Sequence, residues 1–451
     1  MSPPGRCWMT ALSVGLIAAV GPAYATPRND VLFSFNGADG RGPSDLTADA
    51  AGVLYGTTQG GGGSKQCHYG CGTVFRLIPP TASGVPWTHE VLYSFSGQAD
   101  GAQPMDRSVV DADGNLYGTT LTAGSLPYAN GNHAVNCCGV VWELSPPAAP
   151  GGTWTYQTLH TFTGKPADGD APFGHLVRNS GGTLFGTTYH GGNGPGKANG
   201  VAYALAPPPS LGGAWTETIL HNFVAAEGLP NSSLVLTGQE LLLVGTTLTI
   251  YNTNCGLCNL LYAIGLDEGA PTFGRRALVD TFISGSSGPV IHGNHNVFYS
   301  TVRTGGNGDV GGVMELSPPA TPGGAWIQKV LHTFTEEFGG VDWPNNSLLA
   351  TATGTLFGTV PETRKNGGSA VDGSSGGSGF VFRLDPPGAG STGWAYTELH
   401  EFSGSAGTDG TRPDGGFPTT GLTFGRAHQM YGTTGAGGRY GDGTVYMQTL
   451  Q

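Results

Sequence analysis

The sequence GNLYGTT at residues 114–120, followed by GVVWEL at residues 139–144, belongs to a unit that recurs along the whole chain. Each unit contains a segment of the form L-x-x-F, with Val in place of Leu in the fifth copy, and the first residue of this segment stands at positions 32, 92, 159, 220, 279, 331 and 399. Successive units are therefore 52 to 68 residues apart. Because a unit of this size cannot bury a core alone, the repeat predicts an array of seven similar units packed side by side.

Four short apolar runs, separated by Gly, Pro, Asp and Asn, make up each unit and favour β-strands. Four strands per repeat predict an all-β fold, a seven-bladed β-propeller of four-stranded blades. The chain opens with a lone fourth strand at residues 31–35 and ends after a third strand at residues 443–450. We therefore expect the N-terminal strand to complete the last blade and close the ring. The alternative, an open β-solenoid, would not need this offset.

The N-terminal residues have the features of a secretory signal: Arg6, an apolar run at residues 8–20 and the small-residue site AYA at residues 23–25. We expect a signal peptide at residues 1–25 and a single propeller domain at residues 26–451. This predicts a secreted or periplasmic protein without membrane contact after cleavage. An uncleaved N-terminal anchor is the alternative.

The charge of the chain is acidic, with 19 Lys and Arg against 31 Asp and Glu. This balance argues against a nucleic-acid partner, which would need a basic face. The sequence contains no P-loop, dinucleotide fingerprint, G-x-S-x-G or H-E-x-x-H motif. We therefore expect no cofactor, and we expect a monomer.

The cysteines downstream of the signal form three close pairs, which in an exported chain favour disulfides over metal sites or free thiols. Local bridges, cross-loop pairing and zinc half-sites all remain open from spacing alone, and we expect no metal. The six residues are Cys67, Cys71, Cys137, Cys138, Cys255 and Cys258.

The succession GNLYGTT and then G-T-V-F-x-L, as at residues 72–77, resembles the GloVer tandem-repeat family of exported bacterial proteins. The resemblance covers nearly all of the chain after residue 25. It implies export and a repeat β-fold, and it implies no reaction or catalytic residue.

An Asp-Gly motif precedes the first strand of several units, on the face where both variable loops of each blade should lie. These carboxylates could form an acidic ring that binds a cation or a basic ligand, although Asp-Gly is also a strong turn former. The candidates are Asp39, Asp100, Asp168 and Asp409, with Glu227 and Asp342 in weaker copies.

Catalytic residues should break the repeat, and five cationic or imidazole side chains do so: three at or beside first strands near the expected axis, one after a Gly-Thr-Thr run on the same face, and one in the most irregular unit. Arg could neutralise the carboxylate of an acidic sugar while His transfers the proton, which is lyase chemistry. Two carboxylates would instead suit glycoside hydrolysis, with Asp106, Glu227 and Asp342 as candidates. The five repeat-breaking candidates are Arg107, His175, His190, His292 and Arg303.

Three functions therefore remain open. The regular repeats without a catalytic motif favour a module that binds extracellular glycan or protein through its loop-rich face. The alternative is a carbohydrate-active enzyme, a lyase or hydrolase, with its site at the axis. A purely structural surface-layer element is a third possibility.

Overall fold

The computed structural model describes residues 28–82, 84–122, 138–149, 151–164, 168–193, 199–210, 212–230, 232–237, 242–248, 259–266, 276–281, 288–294, 297–302, 311–318, 326–334, 347–361, 379–388, 390–403, 412–426 and 428–450. The expected signal peptide, residues 1–25, lies outside this set. The described residues contain no helix long and apolar enough to cross a bilayer.

Seven antiparallel sheets form the seven blades of a β-propeller, as the repeat predicts. The innermost strands are β3 (Thr47–Ala48), β7 (Val109–Val110), β12 (Val177–Arg178), β17 (Val235–Thr237), β21 (Ile291–His292), β25 (Leu349–Ala350) and β30 (Thr423–Phe424). The second strands are β4 (Leu54–Gly60), β8 (Leu116–Thr120), β13 (Leu184–Gly191), β18 (Leu242–Leu248), β22 (Phe298–Val302), β26 (Leu356–Val360) and β31 (Gln429–Thr434).

The two outer positions of each blade hold longer strands. The third strands are β5 (Thr73–Ile78), β9 (Val140–Ser145), β14 (Val201–Ala206), β19 (Asn259–Gly265), β23 (Gly312–Ser317), β27 (Phe380–Asp385) and β33 (Thr444–Thr449). The outer strands are β6 (Thr88–Ser94), β10 (Thr155–Thr161), β15 (Thr216–Asn222), β20 (Arg276–Thr281), β24 (Ile327–Thr333), β28 (Ala395–Glu401) and β1 (Arg28–Ser34).

Five short strands extend the blades on the face that carries the loops into each first strand and the loops from each second to each third strand. This face is called the loop-rich face. Three of them pair with a second strand of their own blade, and β29 pairs with β32. They are β2 (Arg41–Pro43), β11 (Gly169–Pro172), β16 (Leu229–Pro230), β29 (Arg412–Gly416) and β32 (Ala436–Gly438).

The N-terminal strand β1 pairs antiparallel with β33, so the expected ring closure is confirmed. Its register shifts between Val31 and Phe33, and the outer strand of every other blade shows a shift at the matching place. The strand that closes the ring therefore has the same geometry as the six outer strands that follow their own blades.

The core lies between neighbouring blades. The Phe of each L-x-x-F segment is buried wherever it is described, for example Phe35 and Phe95 at 0% exposure. Trp side chains pack against the preceding blade: the ring centroid of Trp87 lies 5.6 Å from that of Tyr431, and that of Trp394 lies 6.1 Å from that of Tyr299. This packing fixes the angle between blades, and thereby the width of the axis.

Candidate functional site

Seven chain segments, one per blade, lead into the innermost strands and meet around the axis. Each ends in a side chain that is at most 3% exposed, namely Leu46, Ser108, Leu176, Leu234, Val290, Leu348 and Leu422. The residue immediately before each of these is structurally equivalent from blade to blade. In chain order these seven residues are Asp45, Arg107, His175, Ser233, Pro289, Ser347 and Gly421.

A cavity of about 330 Å³ lies at this axial ring. Phe173, Met105 and two prolines contribute apolar surface, and Gln59 lies at its edge. Much of the remaining lining consists of hydroxyl side chains, from Ser44, Ser232, Ser233, Ser347, Thr419 and Thr420. Ser44, Ser232 and Thr420 already make buried hydrogen bonds within the fold. The hydroxyls of Ser233, Ser347 and Thr419 are therefore the ones placed to bond a small polar ligand.

Charged side chains are confined to one sector of the ring, on the first three blades. Asp45 Oδ2 lies 3.0 Å from His175 Nε2 and 3.8 Å from Arg107 Nη2. The N–H of Gly421 donates to Asp45 Oδ1 at 2.7 Å, and Arg107 Nη2 donates to the carbonyl of Leu422 at 3.3 Å. These contacts join the first three blades to the seventh.

The electrostatic environment keeps Asp45 ionised. Burial alone would raise its pKa, but the neighbouring His175 and Arg107 and the N–H of Gly421 outweigh burial and lower the pKa of Asp45 to about 2. An ionised buried carboxylate requires such partners. Asp45 therefore fixes the orientation of the His175 ring through Nε2.

A second carboxylate, Asp106, lines the same cavity in a different environment. Its Oδ2 accepts a hydrogen bond from Thr119 Oγ1 at 3.1 Å. Burial raises the pKa of Asp106, and the negative charge of Asp45 acts in the same direction, while His175, Thr119 and the N–H of Gly174 oppose the shift. Two carboxylates of one cavity thus have pKa values shifted in opposite directions.

The structure brings together two of the five repeat-breaking candidates, Arg107 and His175. His190 is exposed at the end of β13, opposite Asp170 and beside Tyr189. His292 ends β21 at the opposite end of that inner strand from the cavity, where it lines a separate groove between the fifth and sixth blades. Arg303 lies outside the described residues.

Sequence analysis missed Asp45, the residue that organises the ring. Its position before the buried Leu46 matches that of His175 before Leu176. Aligning the residues before each first strand would have placed Asp45, Arg107 and His175 in one column, and this signal was available.

The Asp-Gly carboxylates lie in the turns that lead out of the outer strands. Asp39 accepts the N–H of Asn36 at 2.9 Å, and Asp100 accepts that of Ser96 at 2.7 Å. Asp168 accepts N–H groups from Thr163 at 2.7 Å and Gly169 at 2.6 Å. These contacts make the three carboxylates turn caps, which is the alternative that Asp-Gly chemistry offered.

Of the other acidic candidates in the same turns, Glu227 is described by the structure and has the same role. Glu227 Oε2 lies 2.9 Å from His221 Nε2 and accepts the N–H of Val224, which is again a turn cap. Asp409 and Asp342 lie outside the described residues. In the last blade the turn-capping position belongs to Asp414, which bonds His400 at 3.1 Å and the N–H of Ser403.

A possible cation site occurs at the junction of the second and third blades. Ligand atoms of His160, Asp168 and Glu217 lie within 4.8 Å of one another. However, both oxygens of Asp168 already accept N–H groups of its own turn. His160 and Asp168 therefore form the same kind of turn cap as His400 and Asp414 in the last blade, and Glu217 lies beside them.

The cysteine pairs are described in part. Cys67 and Cys71 form a disulfide, as expected. Cys138 is also disulfide-bonded. Cys137, Cys255 and Cys258 lie outside the described residues.

The lowered pKa of Asp45 predicts a pH-dependent stability difference. A carboxylate whose pKa falls from 3.8 to about 2 on folding stabilises the native state above pH 4, and this contribution disappears as the pH falls towards 2. We expect Asp45→Asn to lose about 2 kcal/mol of unfolding free energy at pH 7, and the loss to shrink between pH 4 and pH 2.

Urea denaturation followed by tryptophan fluorescence measures this difference. Asp113→Asn, at an exposed turn position, is the matched control and should differ little from the parent at either pH. If Asp45→Asn lowers the unfolding free energy equally at pH 7 and pH 2, the lowered pKa of Asp45 in the folded protein is contradicted.

Comparison with known proteins gives a family and weak structural likenesses. No curated protein matches the chain. A putative 6-phosphogluconolactonase from Bacteroides uniformis is 12% identical with a TM-score of 0.44, over 79% of this chain and 83% of that one. A luciferin-regenerating enzyme is 13% identical with a TM-score of 0.42, over 76% and 90%.

The Trypanosoma rangeli sialidase, solved in complex with sialic acid, is 11% identical with a TM-score of 0.37, over 91% of this chain and 54% of that one. With TM-scores below 0.5, these likenesses say nothing about the activity of this chain. The family comparison is firmer and confirms the resemblance seen in the repeat. Residues 15–259, more than half of the sequence, match the Gloeobacter/Verrucomicrobia repeat, and the chain therefore belongs to that repeat family.

Proposed function

We propose that this protein is an exported propeller that binds an extracellular glycan in its axial cavity. One observation carries the proposal: at seven equivalent positions around the axis, three successive blades provide Asp45, Arg107 and His175, whereas the other four provide small or neutral residues. Packing alone would favour the same residue in every blade. A charged sector on one side of a ring is therefore expected of a site that orients a ligand.

The lining of the cavity favours a sugar as the ligand. Its volume of about 330 Å³ lies at the lower end of the range for small-molecule pockets, about 300–1,000 Å³. Hydroxyl side chains can exchange donors and acceptors with sugar hydroxyls, while Phe173 and Met105 offer apolar surface to the C–H groups of a sugar ring.

Export is supported by two features. The N-terminal residues have the pattern of a signal peptide, and the Cys67–Cys71 disulfide is typical of an oxidising compartment. We therefore propose that the protein acts outside the cytoplasm as a monomer, with a glycan rather than a nucleic acid or a membrane as its partner.

The binding proposal predicts that His175→Gln weakens glycan binding. We expect at least a tenfold rise in Kd, which corresponds to about 1.4 kcal/mol, in isothermal titration calorimetry against oligosaccharides selected on a glycan array. Gln59→Ala, at the edge of the cavity, should also weaken binding without disturbing the ring.

His190→Gln is the matched control, since His190 lies outside the cavity lining, and it should bind like the parent. Thermal unfolding of each variant verifies its fold. The proposal fails if the parent binds no glycan of the panel, or if His175→Gln and Gln59→Ala both bind with the parent's affinity.

A second candidate function is hydrolysis of the bound glycan. It is favoured by the opposite pKa shifts of Asp45 and Asp106 in one cavity, a pattern typical of acid–base sites. The oxygen of a water molecule would attack the anomeric carbon as the glycosidic C–O bond breaks; Asp106, with its raised pKa, would take a proton from that water, and His175, held by Asp45, would protonate the leaving oxygen. Arg107 is already bonded to Asp45 and Leu422, which makes the lyase version less favourable.

Hydrolysis predicts that Asp106→Asn lowers kcat about 100-fold or more while Kd changes little, because general acid–base catalysis contributes about 10²–10⁴ in rate. Release of reducing sugar from the glycan that binds measures kcat, and Asp113→Asn is the control. If the parent releases no sugar from a glycan that it binds, this second function is wrong and the binding function stands.

A further inference from the structure

We propose that the loop-rich face carries a second sugar subsite, built on Tyr69 and Tyr440, which takes the part of an oligosaccharide that extends out of the axial cavity. This inference rests on the proposed glycan-binding function and specifies its ligand as a chain of several sugars.

Two tyrosines stand out among the large exposed side chains of the described residues. Tyr69 is 63% exposed and Tyr440 is 54% exposed. Both lie in loops that join a second strand to a third strand, on the face at which the axial cavity lies. Exposed aromatic rings on a rigid scaffold are a frequent element of binding surfaces, because one ring offers a large area with few rotatable bonds.

The Tyr69 ring is held in place by its surroundings. The Cys67–Cys71 disulfide encloses residue Tyr69 in a short loop, and the backbone carbonyl of Tyr69 accepts the N–H of Gly61 at 2.7 Å. The guanidinium of Arg41 lies 4.6 Å from the ring centroid, within the range of a cation–π contact. A ring fixed before binding loses little conformational entropy when a ligand stacks on it.

Contacts between the first and last blades join the two tyrosines into one patch. Arg41 Nε lies 3.4 Å from Asp442 Oδ1, and the N–H of Gly42 donates to the carbonyl of Asp442 at 3.0 Å. Asp442 follows Tyr440 by two residues, and the guanidinium of Arg439 lies 5.4 Å from the Tyr440 ring centroid. Arg41 of β2 thus contacts both the Tyr69 ring and Asp442 of the loop that carries Tyr440 and Arg439.

Strand β2 leads from this patch directly to the axial cavity. Arg41 begins the strand, Pro43 ends it, and Ser44 and Asp45 line the cavity. At about 3.3 Å per residue, the patch and the cavity are separated by about 10 Å.

Strand β2 has an open side at Gly42. A Cβ atom added to Gly42 would meet only the Cβ of Gln59, at 3.9 Å. Gln59 is exposed and lies at the edge of the cavity. This leaves room beside Gly42 and Gln59, between the cavity and Arg41, for a sugar chain that extends towards Tyr69.

The test compares chain lengths in isothermal titration calorimetry. The probes are glucose-, xylose-, mannose- and galacturonate-based oligosaccharides of one to six units. For the series that binds, we expect the parent protein to bind the tetrasaccharide about tenfold more tightly than the monosaccharide. Tyr69→Ala should remove this gain with length and leave monosaccharide binding unchanged.

Two variants separate this inference from the function on which it rests. Ile327→Ala, at a side chain that is 61% exposed on an outer strand, should retain the gain with length. His175→Gln should weaken binding of every length. If Tyr69→Ala binds the tetrasaccharide as tightly as the parent, or if length brings no gain, the subsite is wrong while the axial site stands. If the parent binds no probe, both fail.

Discussion

The pairing of β1 with β33 is the constraint on which the rest of this structure depends. Each blade buries its faces only against neighbouring blades, so an array left open would expose two apolar sheet faces and two strand edges. Closure by the N-terminal strand removes both. It also fixes seven chain segments around one axis, and residues that are far apart in the chain, such as Asp45 and Gly421, come within 2.7 Å of each other.

The axial ring departs from the symmetry of the repeat at the place where a ligand would be held. Asp45 needs His175, Arg107 and the Gly421 N–H to remain ionised while buried, and those partners come from three other blades. The same contacts that stabilise the charge also join four blades. The contacts among Asp45, Arg107 and His175 therefore have two roles: they join the blades, and they hold the His175 ring at the cavity.

The fold could be predicted from the sequence because the same pattern of four strands recurs in seven units. Strand number, blade number and ring closure all follow from residues that recur at equivalent positions. The sequence also favoured a disulfide at Cys67 and Cys71, since only three residues lie between the two cysteines in a chain expected to be exported. These features depend on local pattern, which a single sequence contains in full.

The candidate site could be predicted only in part, because it consists of exceptions to the pattern. Arg107 and His175 were found as exceptions, but Asp45 resembles any acidic residue near a turn until ring closure places it beside them. Conversely, Asp100 and Asp168 look like ligands in sequence and cap their own turns in the structure. Whether a carboxylate faces its own backbone or a cavity depends on tertiary contacts, which spacing does not reveal.

Native-state hydrogen exchange followed by mass spectrometry tests the closure of the ring most directly. If β1 completes the last blade, peptides that cover residues 28–35 and 443–450 will be protected to a similar degree, comparable with the peptide over β6 in the first blade. Rapid exchange of residues 28–35, with the other two peptides protected, would show that the N-terminal strand does not close the ring and would contradict the account.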